Sequence, residues 1–151
     1  MIRKAMIKDV KAIQDLISIH AQKGEMLPRS LSELYDNLRD FHIYINDTTH
    51  CMSGACAMHI CWEGLAEIRS LVVREDFRGK SIGTNLVKAC LSESTALGIC
   101  DVFVLTYQID FFKKIGFTVV DKSILPQKIW ADCLKCMKFP DCDETAMILN
   151  L

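Results

Sequence analysis

The run Ile68-Arg69-Ser70-Leu71-Val72-Val73 reads as a strand, and shortly after it Arg78-Gly79-Lys80-Ser81-Ile82-Gly83 leads into a helix-like stretch from Thr84. No other segment constrains the fold as tightly. A strand, a short basic turn with glycines and a helix start form a natural seat for a phosphate or diphosphate. The first-turn amides of a helix have no partner inside it, and its aligned peptide dipoles add partial positive charge there. Gly79 and Gly83 remove side chains where a ligand needs close approach, and Arg78 and Lys80 bring full charges beside the donors. A plain strand–turn–helix junction would also accept these residues. Two known phosphate signatures are excluded. Thr84-Asn85 stands where a P-loop has Lys-Ser/Thr, and two glycines four apart do not make the three-glycine dinucleotide fingerprint.

Hydrophobic periodicity extends the reading along the chain. Residues 1–6 fit an edge strand. Residues 10–23 fit a helix with Asp9 as N-cap, Val10, Ile13, Ile17 and His20 on one face, and Gly24 as its stop. Ser30-Leu31-Ser32-Glu33 is a capping box opening a second helix through Leu38. Strands follow at 41–46, 54–61 and 65–73, the last two joined at Trp62-Glu63-Gly64. The helix after the glycine turn is expected to bury Leu86, Val87, Cys90 and Leu97 and to end at Gly98. Residues 101–106 form an apolar strand suited to a sheet centre, 111–115 a short helix closed by Gly116, and 117–120 and 146–149 two further strands. The order βααβββαβαββ predicts an α+β domain with a mixed, mostly antiparallel sheet and helices on both faces.

Bulk properties agree with one ordinary globular domain over residues 1–151, half hydrophobic and a quarter charged. A formal net charge of −1 argues against nucleic-acid or membrane surfaces as partners. Arg3, Lys4, Lys8, Asp9 and Lys11 interrupt the first segment before any apolar run develops, so no secretory signal is expected. Eight cysteines then read as reduced thiols of a cytoplasmic protein. Cys133, Cys136 and Cys142, with His59 or Cys61 as a fourth ligand, could hold zinc. The preferred reading is thiols packing near Trp130, Phe139 and Pro140, with no metal.

Arg78 and Gly83 fit the Gln/Arg-x-x-Gly-x-Gly/Ala turn of the GCN5-related N-acetyltransferases (GNAT), and the whole element order resembles that superfamily. Ser81 stands where those proteins usually have their middle glycine, which leaves the backbone there less free to turn. Within the superfamily the chain resembles the short, single-domain N-acetylglutamate synthases. The residues carrying this are Ala55-Cys56-Ala57-Met58-His59-Ile60-Cys61-Trp62, Leu65-Ala66-Glu67-Ile68-Arg69, Val102-Phe103-Val104-Leu105-Thr106-Tyr107, and Phe111-Phe112 with Gly116-Phe117. The resemblance implies a GNAT fold and acetyl-CoA as cosubstrate. It seats the diphosphate on Arg78, Gly79, Lys80, Ser81, Ile82, Gly83 and Thr84, and pantetheine along Leu71, Val72 and Val73. It implies transfer of acetyl to the α-amino group of L-glutamate at the head of arginine synthesis. The alternatives are another amine (a different amino acid, a polyamine or a protein N-terminus) or a non-catalytic acyl-CoA sensor.

Glu67 lies eleven positions before Arg78, where family members with a glutamate base carry it. Leu65, Ala66 and Ile68 around it should raise its pKa, suiting it to take a proton from an ammonium; the competing reading is a surface or Arg69-paired carboxylate. Phe112 occupies the family's tyrosine position and cannot donate a proton, so Tyr107 is the nearest candidate acid, with packing at a sheet edge as its competing role. Arg29, in Leu27-Pro28-Arg29-Ser30, and Arg69 are the candidate cations for a substrate carboxylate. Homodimers are common in the family, and the resemblance extends that expectation here.

Overall fold

The computed structural model describes residues 1–125 and 144–151. They form β1 (Ile2–Lys4), α1 (Val10–Gln22), α2 (Leu31–Asp36), β2 (Phe41–Ile45), β3 (Met52–Trp62), β4 (Leu65–Val73), α3 (Ile82–Ala96), β5 (Asp101–Thr106), α4 (Ile109–Ile115), β6 (Thr118–Val120) and β7 (Thr145–Asn150). This is the expected element order. The strands make one seven-stranded sheet in the order β1-β2-β3-β4-β5-β7-β6. β4 and β5 pair in parallel, while β1–β2, β2–β3, β5–β7 and β6–β7 are antiparallel. The result is the α+β architecture read from the sequence. Contacts gather the described residues into two compact units, Met1–His59 with Ile68–Glu93 and Ile60–Glu67 with Ser94–Leu151.

In the first unit, strand alternation sorts side chains onto the two sheet faces. Phe41, Ile43, Ala55, Ala57 and Val72 pack with Val10, Ile13, Leu16 and Ile17 of α1 and Leu34 of α2. On the other face, His42 stands opposite Cys56, and its Nδ1 lies 3.6 Å from Cys90 Sγ on α3. Gly54 lets α3 approach closely. A β-carbon there would sit 3.0 Å from Leu86 Cδ1, 3.2 Å from Ile82 Cγ2 and 3.3 Å from the Val72 carbonyl oxygen. The Leu86 tip can move, but the carbonyl cannot. Gly54→Ala is therefore expected to cost about 1–3 kcal/mol, read as a lowered urea midpoint; an unchanged midpoint would mean that α3 does not need the gap.

The two ends of α1 depart from and follow the sequence reading respectively. Asp9 is not the side-chain cap expected of it. A 3-10 turn over Ile7–Asp9 precedes the helix and moves its start back to Met6. The Asp9 carboxylate accepts the Met6 amide at 2.7 Å and both Arg3 guanidinium nitrogens at 2.8 and 3.1 Å. Burial pulls the Asp9 pKa up, but these donors outweigh it and hold the group below the usual carboxylate range. At the far end Gly24 takes φ +74°, its amide donates to Ala21 and the Glu25 amide donates to His20. Both bonds of a Schellman motif are thus present.

In the second unit, Gly64 at φ +73° turns the β3–β4 hairpin, and its carbonyl accepts the amides of Cys100 and Asp101. β5 pairs with β7 over its full length. Cys61, Phe103, Leu125 and Ala146 form a core cluster flanked by Leu65, Leu105, Val120 and Ile148. Phe112 is buried and meets Phe111 and Phe117 edge-on, with ring centroids 5.0 and 5.2 Å apart. Leu97 is exposed, contrary to expectation. Gly98 (φ +82°) ends the helix in a second Schellman turn, and that turn buries Ile99 instead. No helix among the described residues is long and apolar enough to cross a membrane.

Candidate active site

β4 carries the alternation from which the site is built. Ala66, Ile68 and Val72 are buried, while Leu65, Glu67, Arg69, Leu71 and Val73 are half-buried. Ser70 interrupts the extended chain with φ +55°, a left-handed conformation that costs an L-residue about 1–2 kcal/mol. The parallel ladder with β5 covers three pairs only, Leu65–Asp101, Ala66–Val102 and Glu67–Phe103. The backbone of Leu71, Val72 and Val73 takes no part in that ladder, so their outward amides and carbonyls are not committed to it.

After β4 the chain makes a 3-10 turn over Glu75–Phe77 and extends at Arg78 (φ −67°, ψ 153°). Gly79 then takes φ +81° and Ser81 φ +63°. Ser81 adopts the left-handed turn that a glycine would make freely, so a serine here raises the cost of the loop. The Asn85 amide donates to the Ser81 carbonyl at 3.0 Å, making Ser81 the last residue before α3. The amides of Ile82, Gly83 and Thr84 are therefore those an α-helix leaves unpaired within itself, and the first turn holds no acidic residue to offset the dipole. Lys80 Nζ sits 5.0 Å from the Phe77 ring centroid, with Arg74 Cζ at 5.5 Å. The Arg78 guanidinium faces the end of α1, with Nη2 3.3 Å from His20 Nδ1 and 3.7 Å from Glu25 Oε2.

Also within the first unit is an open concavity of about 250 Å³, solvent at its mouth included. It is lined by Arg29, Glu33, Leu34, Asn37, Asp40, Phe41, Ala57, Arg69 and Ser70. The two cations singled out from the sequence thus share one lining. The Arg29 side chain is only 11 % exposed, too enclosed for a solvated surface guanidinium, and its Nη1 lies 3.4 Å from Glu33 Oε2. The Ser30 side chain caps α2 by accepting the Glu33 amide at 3.1 Å, which fixes both Arg29 and Glu33 at the helix start. Asp40 Oδ2 is 2.7 Å from His59 Nδ1. Glu33 was visible as part of the capping box. Asn37, Asp40, Ala57 and Ser70 carried no sequence signal for a site, because their convergence depends on β2, β3 and β4 lying side by side.

Glu67 is not part of that lining; it lies two residues before Arg69 on β4, half-buried. Tyr107 is the first residue beyond β5 and is exposed. Phe112 is a core residue. Cys133, Cys136 and Cys142 lie outside the described residues. Among the described residues no group of three or more His, Cys, Asp or Glu side chains could hold a metal ion.

A strand feeding a basic, glycine-bearing turn into a helix start is an arrangement suited to a diphosphate. Residues 12–117 match the Acetyltransferase (GNAT) family, and the chain belongs to that family. An uncharacterized N-acetyltransferase of Chlorobaculum tepidum is 40% identical over 150 residues, covering 99% of this chain and 96% of its own. An amino-acid acetyltransferase of Mycobacterium tuberculosis is 33% identical over 131 residues, covering 86% of this chain and 75% of that protein. The fold is shared with N-acetylglutamate synthase of Neisseria gonorrhoeae, solved with coenzyme A and N-acetyl-glutamate. That match has a TM-score of 0.89 at 23% identity and covers all of this chain but 35% of the other. The protein is an acetyl-CoA-dependent N-acetyltransferase.

Proposed function

We propose that the enzyme transfers acetyl from acetyl-CoA to the α-amino group of an amino acid, L-glutamate first among them, as in the first committed step toward arginine. The observation that carries this reading is the pair Arg29 and Arg69 in one small concavity, with Arg29 almost wholly enclosed. Guanidinium forks suit carboxylates, and an acceptor with two carboxylates needs more than one. The Mycobacterium relative's name and the Neisseria protein's ligand supply the same chemical class.

In this scheme the amides of Ile82, Gly83 and Thr84, with Arg78 and Lys80 beside them, hold the diphosphate. Pantetheine runs along the backbone of Leu71, Val72 and Val73. Glu67 takes a proton from the substrate ammonium, directly or through water, and the neutral amine attacks the thioester carbonyl. A backbone amide on that strand receives the developing oxyanion. Collapse of the tetrahedral intermediate forms the amide bond and expels the CoA thiolate, which takes a proton from Tyr107 or from solvent. No covalent enzyme intermediate is required.

The test is thiol release from acetyl-CoA across a panel of amino acids, polyamines and peptide N-termini. Glutamate, with glutamine as its near relative, should lead the panel. Arg29→Ala and Arg69→Ala should each raise the glutamate KM about 10- to 100-fold, as expected for a lost charge-assisted bond. A flat panel, or arginine variants with unaltered KM, would remove glutamate as the acceptor while leaving the transferase assignment standing.

A further inference from the structure

The concavity of the first unit carries carboxylates as well as guanidiniums, with Glu33 and Asp40 in the same lining as Arg29 and Arg69. The arginines suit acceptor carboxylates; the two acids have no part in that. Glu33 is turned to its own helix start, with Oε2 3.4 Å from Arg29 Nη1 and Oε1 3.4 Å from the Ser30 hydroxyl. Asp40 is placed differently. It closes a 3-10 turn over Leu38–Asp40, its amide donates to the Asn37 carbonyl at 2.9 Å, and β2 begins at the next residue. β2 pairs Phe41 with Ala57, and β3 runs on past that pair to bring His59 beside Asp40. A carboxylate only accepts, so His59 Nδ1, 2.7 Å from Asp40 Oδ2, carries the hydrogen whether the ring is neutral or charged. That bond fixes one oxygen from a residue outside the lining. Among the described residues Oδ1 accepts no hydrogen bond, and the side chain is only 22 % exposed. A carboxylate so enclosed, with one oxygen to spare, suits a positively charged N–H donor.

We propose that Asp40 receives the α-ammonium of the acceptor amino acid, and that His59 is the positioning residue that fixes its carboxylate. The proposal rests on the concavity being the acceptor site. An amino acid enters as a zwitterion, and guanidiniums alone would attract its carboxylate while repelling its ammonium. Asp40 supplies the missing counter-charge. The contact also survives activation of the nucleophile. Loss of one proton to Glu67 or water leaves the amine two N–H bonds. One of them still donates to Asp40, while the freed lone pair is available to the thioester carbonyl. Asp40 thus orients the nitrogen before and after deprotonation and takes no proton from it.

The test is calorimetric titration of the CoA-saturated enzyme with L-glutamate and with glutarate, which is glutamate without its amino group. The native enzyme should bind glutamate about 10- to 100-fold more tightly than glutarate. Asp40→Asn keeps an oxygen for His59 and removes the charge. It should bring the ratio to about one by weakening glutamate while glutarate binds at least as well as before. His59→Leu should cut the native ratio about three- to tenfold, and His59→Asn, whose amide N–H replaces the Nδ1 donor, should restore it to within about twofold. A native ratio of one, or an Asp40→Asn enzyme that keeps the native ratio or weakens both ligands alike, overturns the ammonium seat. A His59→Leu enzyme with the native ratio overturns the positioning role. Arg29→Ala separates this from the underlying reading. If the native enzyme binds neither ligand, or Arg29→Ala binds both as the native enzyme does, the concavity is not the acceptor site and the proposal falls with it.

Discussion

Replacing Glu67 with glutamine is expected to lower kcat near neutral pH by about 10²–10⁴ while acetyl-CoA affinity stays within about twofold. An amino group is protonated at neutral pH and has no lone pair to attack with, so deprotonation must accompany or precede acyl transfer. Glutamine keeps the shape of glutamate on the half-buried strand position and removes only the basic oxygen. The pH profile distinguishes a base from a structural carboxylate. In the variant, kcat should climb with pH as solvent deprotonates the substrate, and the deficit should shrink toward alkaline conditions. A variant with native rate and native profile would take Glu67 out of the mechanism. A variant slowed equally at every pH would assign it a positioning role instead.

Phe112→Ala should cost about 3–5 kcal/mol of stability, the largest structural effect expected in this chain. The ring is 2 % exposed and wedged edge-on between Phe111 and Phe117, and its removal leaves a void that α4 and the sheet cannot both fill. The size matters for catalysis too. The resemblance puts a tyrosine at this position in the family, and a hydroxyl on this ring would have to find a partner in an apolar setting. Phe112→Tyr is therefore expected to lose about 1–3 kcal/mol without raising kcat. Urea denaturation reads both values. A Phe112→Ala midpoint within error of the native one would show that this position is not part of the core.

How far the sequence spoke for itself depended on how local each signal was. Gly24, Ser30, Gly64, Gly98 and Gly116 end or cap their elements as read, because caps and turns are decided by a few neighbouring residues. The element order followed from those stops and from apolar periodicity. Asp9 misled because its carboxylate has a better offer from Arg3 and Met6, one turn earlier. Leu97 misled because the periodic pattern runs past the helix end, where the Schellman turn reverses the chain and buries Ile99. At Ser81 the composition suggested a stiffer loop, yet the backbone takes the left-handed turn regardless. In the candidate site, Arg29, Arg69 and the glycine turn were legible as residue types in context. Asp40 with His59, and Arg78 with His20, were not, since each pair joins elements distant in sequence through packing that no local pattern announces.

Cofactor binding in this scheme turns on the start of α3 receiving the diphosphate. Backbone amide shifts recorded by NMR while coenzyme A is titrated into the ¹⁵N-labelled enzyme test this most directly. Saturable shifts are expected to be largest at Ile82, Gly83 and Thr84, with Gly79 and Lys80 close behind. Saturation with those amides unmoved, and the perturbations gathered elsewhere, would contradict the account at its root.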